Sequence, residues 1–136
     1  VTFNEKKLCI IAHGATYDKL HSVISVAAAA VSMGSEVHIL LTYGALDAFV
    51  KDLDVAPDTG KKEIDKAYAK AISQGKLPKL SELWKQVKDS GLVKVYTCST
   101  SSQVLGLTRE EIGKTDGVLG HTTFLKIAGD CKLIAI

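Results

Sequence analysis

Three cysteines, Cys9, Cys98 and Cys131, and four histidines, His13, His21, His38 and His121, are the side chains of this chain best suited to nucleophilic or metal chemistry. The cysteine count is odd, the spacing is wide and there is no CxxC, which argues against a disulfide framework or a structural zinc site. Each thiol is therefore read on its own. Cys9 sits inside the apolar run Lys7 to His13 (KLCIIAH), and Cys131 opens the run CKLIAI, so packing accounts for both. Cys98 differs. It follows the strand-like segment Leu92 to Thr97 (LVKVYT) and precedes Ser99, Thr100, Ser101 and Ser102. A thiol near a helix N-terminus faces unpaired N–H groups and the positive end of the helix dipole, and both favour the nucleophilic thiolate. The hydroxyls from Ser99 to Ser102 would cap the helix or hold an anionic adduct. The competing reading is a buried structural cysteine beside a capped helix.

The positions of His13 and His121 suit an acid–base partner for Cys98, or local hydrogen bonding in their loops. Cys98, His13 and His121 with a water would also suit zinc, but no metal and no cofactor is assigned. His21 and His38 fall on helix and strand bodies and receive no role. Gly113-Lys114-Thr115 has the look of a phosphate-loop ending, but position 108, where the first glycine belongs, is Thr108 and no strand leads into it. No GxGxxG follows the first strand.

These residues need a scaffold, and the hydrophobic periodicity supplies one. Lys7 to His13 reads as a strand buried on both faces. Leu20, Val23, Ile24, Ala27 and Val31 recur at helical spacing in Tyr17 to Met33, and Gly34 stops that helix. Glu36 to Thr42 is the next strand, completing a βαβ unit with a right-handed crossover. Tyr43 to Lys51 reads as a short helix and Asp52 to Gly60 as a polar turn. Lys61 to Gln74 and Leu80 to Ser90 read as helices, and Leu92 to Thr97 as the third strand. Val104 to Leu107 reads as a brief helix, and Thr108 to Glu111 (TREE) as a capping box. A short strand over Gly117 to Leu119, a helix over His121 to Asp130 and a strand over Cys131 to Ile136 finish the chain. The alternation predicts an α/β protein, a three-layer α/β/α sandwich on a mostly parallel five-stranded sheet. Residues 1–136 read as one domain, with a possible helical insertion at about 51–78.

Ligands of such sheets bind beyond the carboxyl ends of the strands. The residues placed there are His13 and Gly14, Tyr43 and Gly44, Cys98 to Ser101, and Gly120, His121 and Thr122. Composition limits the partners. The formal net charge of +2 is too small to point to nucleic acid or a membrane surface. The longest uncharged stretch, Leu20 to Ser35, is too short to span a bilayer. Val1 to Lys7 shows no apolar leader, and a cytoplasmic location is expected.

Several segments resemble the DsrE/DsrF-like sulfur-relay family, in its peroxiredoxin-like branch. Asp18-Lys19 opens the first helix shortly after Gly14. Ala29 to Gly34 (AAVSMG), Glu36-Val37 and Leu41 to Phe49 (LTYGALDAF) are similar to a helix end, strand and turn of that family. Gly75 to Leu83 (GKLPKLSEL) resembles the linker before the active strand. Val95 to Leu107 (VYTCSTSSQVLGL) resembles the segment with the reactive cysteine, and Gly120 to Leu125 (GHTTFL) the opening of the last helix. Departures are Thr42-Tyr43-Gly44 in place of an aromatic-rich turn, a loop from His13 to Asp18 one residue longer than the family pattern, and Lys79 where a stronger helix cap is common.

The resemblance implies an α/β sandwich that assembles into homo-oligomers. It implies persulfide or thiosulfonate sulfur on Cys98, exchanged with small sulfur anions and with TusA-like or rhodanese-like carrier proteins. The expected function is thus a cytoplasmic sulfur carrier or transferase. Its substrate-binding surroundings are Ser99, Thr100, Ser101, Ser102, His13, Gly14, Tyr43, Gly120 and His121. The alternatives are a non-catalytic subunit of a sulfur-relay assembly and a small-molecule-binding module using the same crevice.

Overall fold

A computed structural model describes residues 6–136. The segment 1–5, most of the stretch read above as lacking an apolar leader, lies outside the described residues. The elements run β1 (Lys7–Ala12), α1 (Tyr17–Ser32), β2 (Glu36–Leu41), α2 (Tyr43–Lys51), α3 (Lys62–Ser73), α4 (Leu80–Asp89), β3 (Val93–Cys98), α5 (Ser99–Leu105), α6 (Arg109–Ile112), β4 (Val118–Leu119), α7 (His121–Ala128) and β5 (Lys132–Ala135). The five strands form one sheet in the order β4-β3-β2-β1-β5, and every pairing is parallel.

Strand order and crossover handedness together decide the layers. From β1 to β4 the chain steps across the sheet in one direction, so right-handed crossovers put the intervening helices on one face. The step from β4 back to β5 runs the other way, which puts α7 on the opposite face. The sandwich is therefore unequal, with a thick helical layer on one side and α7 on the other.

The pleat sorts the side chains accordingly. Leu8, Ile10 and Ala12 of β1, Val37, Ile39 and Leu41 of β2, and Val93 and Val95 of β3 join the larger core with α1, α2 and α4. Cys9, Leu40, Tyr96 and Cys98 point the other way and pack with Phe124 and Ala128 of α7. Leu20, Val23, Ile24 and Ala27, the predicted apolar stripe of α1, are buried to 1% or less.

Several boundaries differ from the sequence reading by a residue or two, and three differences bear on the cysteines. Cys98 is the last residue of β3 rather than the residue after it, paired in register with Leu119. The helix after it starts at Ser99, five residues before the expected Val104. Serine and threonine have modest helix propensity, so the local sequence hid this start. Cys131 lies ahead of β5 rather than inside it. The predicted capping box does form: Thr108 Oγ1 accepts from the Glu111 N–H at 3.1 Å, and Glu111 Oε1 accepts from the Thr108 N–H at 3.0 Å.

In the region 51–78, α3 buries none of its residues fully. Tyr68 and Ile72 pack against the larger core. The segment is also tied at its ends: Asp54 accepts from the Ser81 N–H and hydroxyl, and Asp65 from the Thr59 N–H and hydroxyl.

Candidate functional site

Parallel register builds the rim of the sheet. Ala12 lies opposite Leu41, Leu41 opposite Thr97, and Cys98 opposite Leu119. The residues that follow, His13, Thr42–Tyr43, Ser99 and Gly120–His121, therefore emerge along one edge. The edge is cross-linked by its backbone. The Thr42 N–H and hydroxyl both donate to the Ala12 carbonyl, the His13 N–H donates to Ile136, and the His13 carbonyl accepts from the Ala45 N–H. Gly44 fits because the chain passes close to α1's entry loop: a Cβ there would lie 2.7 Å from the Ala15 Cβ.

Cys98 sits at the heart of this edge and is 1% exposed. It is also the N-cap residue of α5, with an extended backbone and no capping hydrogen bond from its side chain. Leu119, its register partner, directly precedes Gly120, the N-cap of α7. The amino ends of α5 and α7 thus both start next to the Cys98–Leu119 pair, with the unpaired N–H groups that every helix start carries. A Cβ built on Gly120 would come within 3.8 Å of the Ser99 hydroxyl, so the two entry loops are in contact. Phe124, fully buried on α7, packs in the same cluster as Cys98 and helps close it from solvent.

The serine run divides. Ser101 is fully buried, and its hydroxyl oxygen accepts from the Tyr43 N–H at 3.0 Å. The Ser102 hydroxyl donates to the Ser99 carbonyl at 2.9 Å. Both groups hold the scaffold, which leaves Ser99 and Thr100 at the surface of the site. Tyr43 is about half exposed and has φ +43°, a left-handed conformation in a residue with a Cβ. Such backbone persists only where its surroundings hold it, and the bond to Ser101 is one such hold.

His13 and His121 are both exposed. His121 begins α7, two residues after Leu119, the register partner of Cys98. His13 lies two strands away, roughly 10 Å at the usual strand spacing. Gly14 is half-buried beside the Lys19 stem. Among the described residues no three His, Cys, Asp or Glu side chains gather as a metal site would require, so Cys98, His13 and His121 do not converge.

Two polar features escaped the sequence reading. The first is on the α7 face of the sheet. His38 is buried, stacks on Tyr96 and bonds its hydroxyl at 2.8 Å through Nδ1, while Nε2 meets Glu36 at 2.6 Å. A carboxylate only accepts, so Nε2 carries the proton, and in the neutral ring Nδ1 accepts from Tyr96. Burial, first of all, raises the Tyr96 phenol above its ordinary pKa. Alternation within β2 and β3 was the available clue, since it puts both residues on one face.

The second feature is a groove of about 400 Å³ under α3, lined by Tyr17, Val55, Pro57, Ile72, Lys79 and Leu80, among others. Tyr17 is 2% exposed and its hydroxyl has no hydrogen-bond partner among the described residues.

Comparison with known proteins agrees with this architecture. A protein of unknown function from Bacteroides thetaiotaomicron, BT1422, superposes with a TM-score of 0.65 at 12% identity, over 96% of this chain and 95% of its own. The E. coli ychN protein superposes with a TM-score of 0.59 at 14% identity, over 96% and 99%. A search of curated protein sequences finds no match. At these identities the two structures speak for the fold. The DsrE/DsrF-like family model matches residues 6–135, and with nearly the whole chain matched, the protein belongs to the DsrE/DsrF-like family.

Proposed function

We propose that this protein is a cytoplasmic sulfur carrier or transferase that holds persulfide or thiosulfonate sulfur on Cys98. The observation that carries the reading is the position of Cys98 in a DsrE/DsrF-like chain: it ends a central strand, next to the starts of α5 and α7.

With thiosulfate as donor, the Cys98 thiolate attacks the outer sulfur. A new S–S bond forms, the donor's S–S bond breaks, and sulfite leaves with the electron pair. A partner thiolate then attacks the outer sulfur of the persulfide and displaces the Cys98 thiolate. In this reading Ser99 and Thr100, next to Cys98 in the chain, and the amino end of α7 with Gly120 and His121, supply donors for the anionic adduct. Ser101, Ser102, Tyr43, His13 and Gly14 hold or border the rim. No cofactor takes part. The partners in this reading are small sulfur anions and TusA-like or rhodanese-like carrier proteins, and the working unit is a homo-oligomer. Among the described residues no helix is long and apolar enough to cross a membrane.

Because Cys98 is 1% exposed, loading requires local opening. The elements beside it are short: β4 has two residues and α5 seven. Short elements at a sheet edge open at low free energy. The same burial favours a second reading, a non-catalytic subunit of a sulfur-relay assembly with Cys98 as packing.

Intact mass after incubation of the reduced protein with thiosulfate, tetrathionate or polysulfide separates the two. A gain of sulfur or of a thiosulfonate on the wild type, absent from Cys98→Ser, supports the carrier. An unmodified Cys98 with every donor, under conditions where an alkylating agent labels it, supports the subunit.

A further inference from the structure

The other two cysteines, for which the sequence offers packing as the account, are brought together by the fold. Cys9 lies in β1, and β1 pairs with β5 in a register that sets Cys9 opposite Leu133. Cys131, two residues before Leu133 and just ahead of β5, packs in the same cluster as Cys9 on the α7 face of the sheet. The two sulfurs are 3.3 Å apart, although 122 positions separate the residues. Both are reduced. A disulfide holds its sulfurs at roughly 2.05 Å, so the two thiols stand only a short approach from bonding distance.

The two thiols are unequal in a way that suits sequential reaction. Cys9 is fully buried, whereas Cys131, in the loop between α7 and β5, is partly exposed. Burial, with the contact to Cys131 next, pushes the Cys9 thiol up to about 12, so it keeps its proton until a partner sulfur is engaged. Lys7 stands close by, donating from Nζ to the Ile127 carbonyl at 2.7 Å, and its charge acts on Cys9 in the opposite sense.

We propose that Cys9 and Cys131 are an oxidisable dithiol that closes to an intramolecular disulfide with a low-molecular-weight disulfide as oxidant. The Cys131 thiolate attacks one sulfur of the oxidant. A mixed disulfide forms, the oxidant's S–S bond breaks, and one thiolate leaves. Cys9 then attacks the Cys131 sulfur, losing its proton to solvent as the second thiolate leaves. Two protein thiols are oxidised by two electrons, and the oxidant is reduced to two thiols. The product ties the carboxyl end of α7 to β1, in the same layer as Cys98 but at the other end of the helix. The reaction does not require sulfur chemistry at Cys98.

The test is incubation of the wild type and of Cys98→Ser with oxidised glutathione, followed by acid quench, alkylation under denaturing conditions and tryptic mapping. The expected product has lost two hydrogen atoms, joins the peptides 8–19 and 127–132, and returns to two thiols on reduction. Its Tm rises by roughly 10 °C, as closing so long a loop implies. Cys9→Ala retains glutathione on Cys131 as the trapped mixed disulfide. Full alkylation of both cysteines in the wild type, or glutathione remaining on wild-type Cys131 without a cross-link, overturns the proposal.

Discussion

The Tyr43 N–H donates to the fully buried Ser101 hydroxyl oxygen, 3.0 Å away, and this one bond joins the start of α2 to the helix that follows Cys98. Ser101→Ala removes the acceptor and leaves that N–H without its acceptor at a partly buried position. A loss of about 1–3 kcal/mol is expected, read as a lower urea midpoint at unchanged m. Tyr43→Gly in the same background recovers part of the loss, because glycine adopts the observed φ of +43° without the penalty a Cβ brings.

Phe124 is the largest of the α7 side chains in the cluster with Cys98, and it is fully buried. Phe124→Ala is expected to cost about 3–5 kcal/mol. Phe124→Leu, which keeps most of the volume, costs less. In both variants Cys98 alkylates faster than in the wild type, with the Leu variant still folded at 25 °C by circular dichroism. An unchanged alkylation rate in the folded Leu variant would show that access to the thiol does not run past α7.

The bond between His38 and Tyr96 crosses two neighbouring strands beneath the same layer. Tyr96→Phe keeps the ring that stacks on His38 and meets Phe124 edge-on, but leaves the buried Nδ1 without its donor. The expected loss is about 1–3 kcal/mol, measured by thermal unfolding near neutral pH. His38→Phe in the Tyr96→Phe background recovers part of it, since both polar groups are then gone.

Glu111 titrates below its ordinary value of 4.5, first because the Thr108 N–H donates to its carboxylate. A depressed carboxyl contributes stability that is present above the unfolded-state value and is lost as pH falls through the folded-state value. Wild type and Glu111→Gln should therefore differ most near neutral pH and converge as pH falls through the depressed folded-state value of Glu111. Amide exchange at Thr108 and Glu111, followed from neutral to acid conditions, reads the effect locally.

Much of the fold was legible because its signals are local. Leu20, Val23, Ile24 and Ala27 mark α1 by their spacing alone, and KLCIIAH and LVKVYT mark strands buried on both faces. Thr108 and Glu111 announce a capping box three residues apart. Position relative to the strands also placed Cys98 at the sheet's rim. What sequence left dark depends on distant partners. The early start of α5 is fixed by Ser101 receiving a bond from Tyr43, 58 positions away, not by the propensities of Ser99 and Thr100. The burial of Cys98 depends on Phe124 arriving from α7, and the division of labour among Ser99, Thr100, Ser101 and Ser102 on which of them meets another element. Cys9 and Cys131 gave no pairwise clue, because only the position of β5 beside β1 brings them together.

All three cysteines belong to the thin layer under α7, and none to the larger core against α1, α2 and α4. Covalent change at any thiol therefore alters the packing of one helix, while the aliphatic contacts that hold most of the sheet contain no thiol to be altered. The layout separates durability from reactivity. A molecule can pass through repeated cycles of modification and repair on one side while the other side preserves the template to which α7 returns.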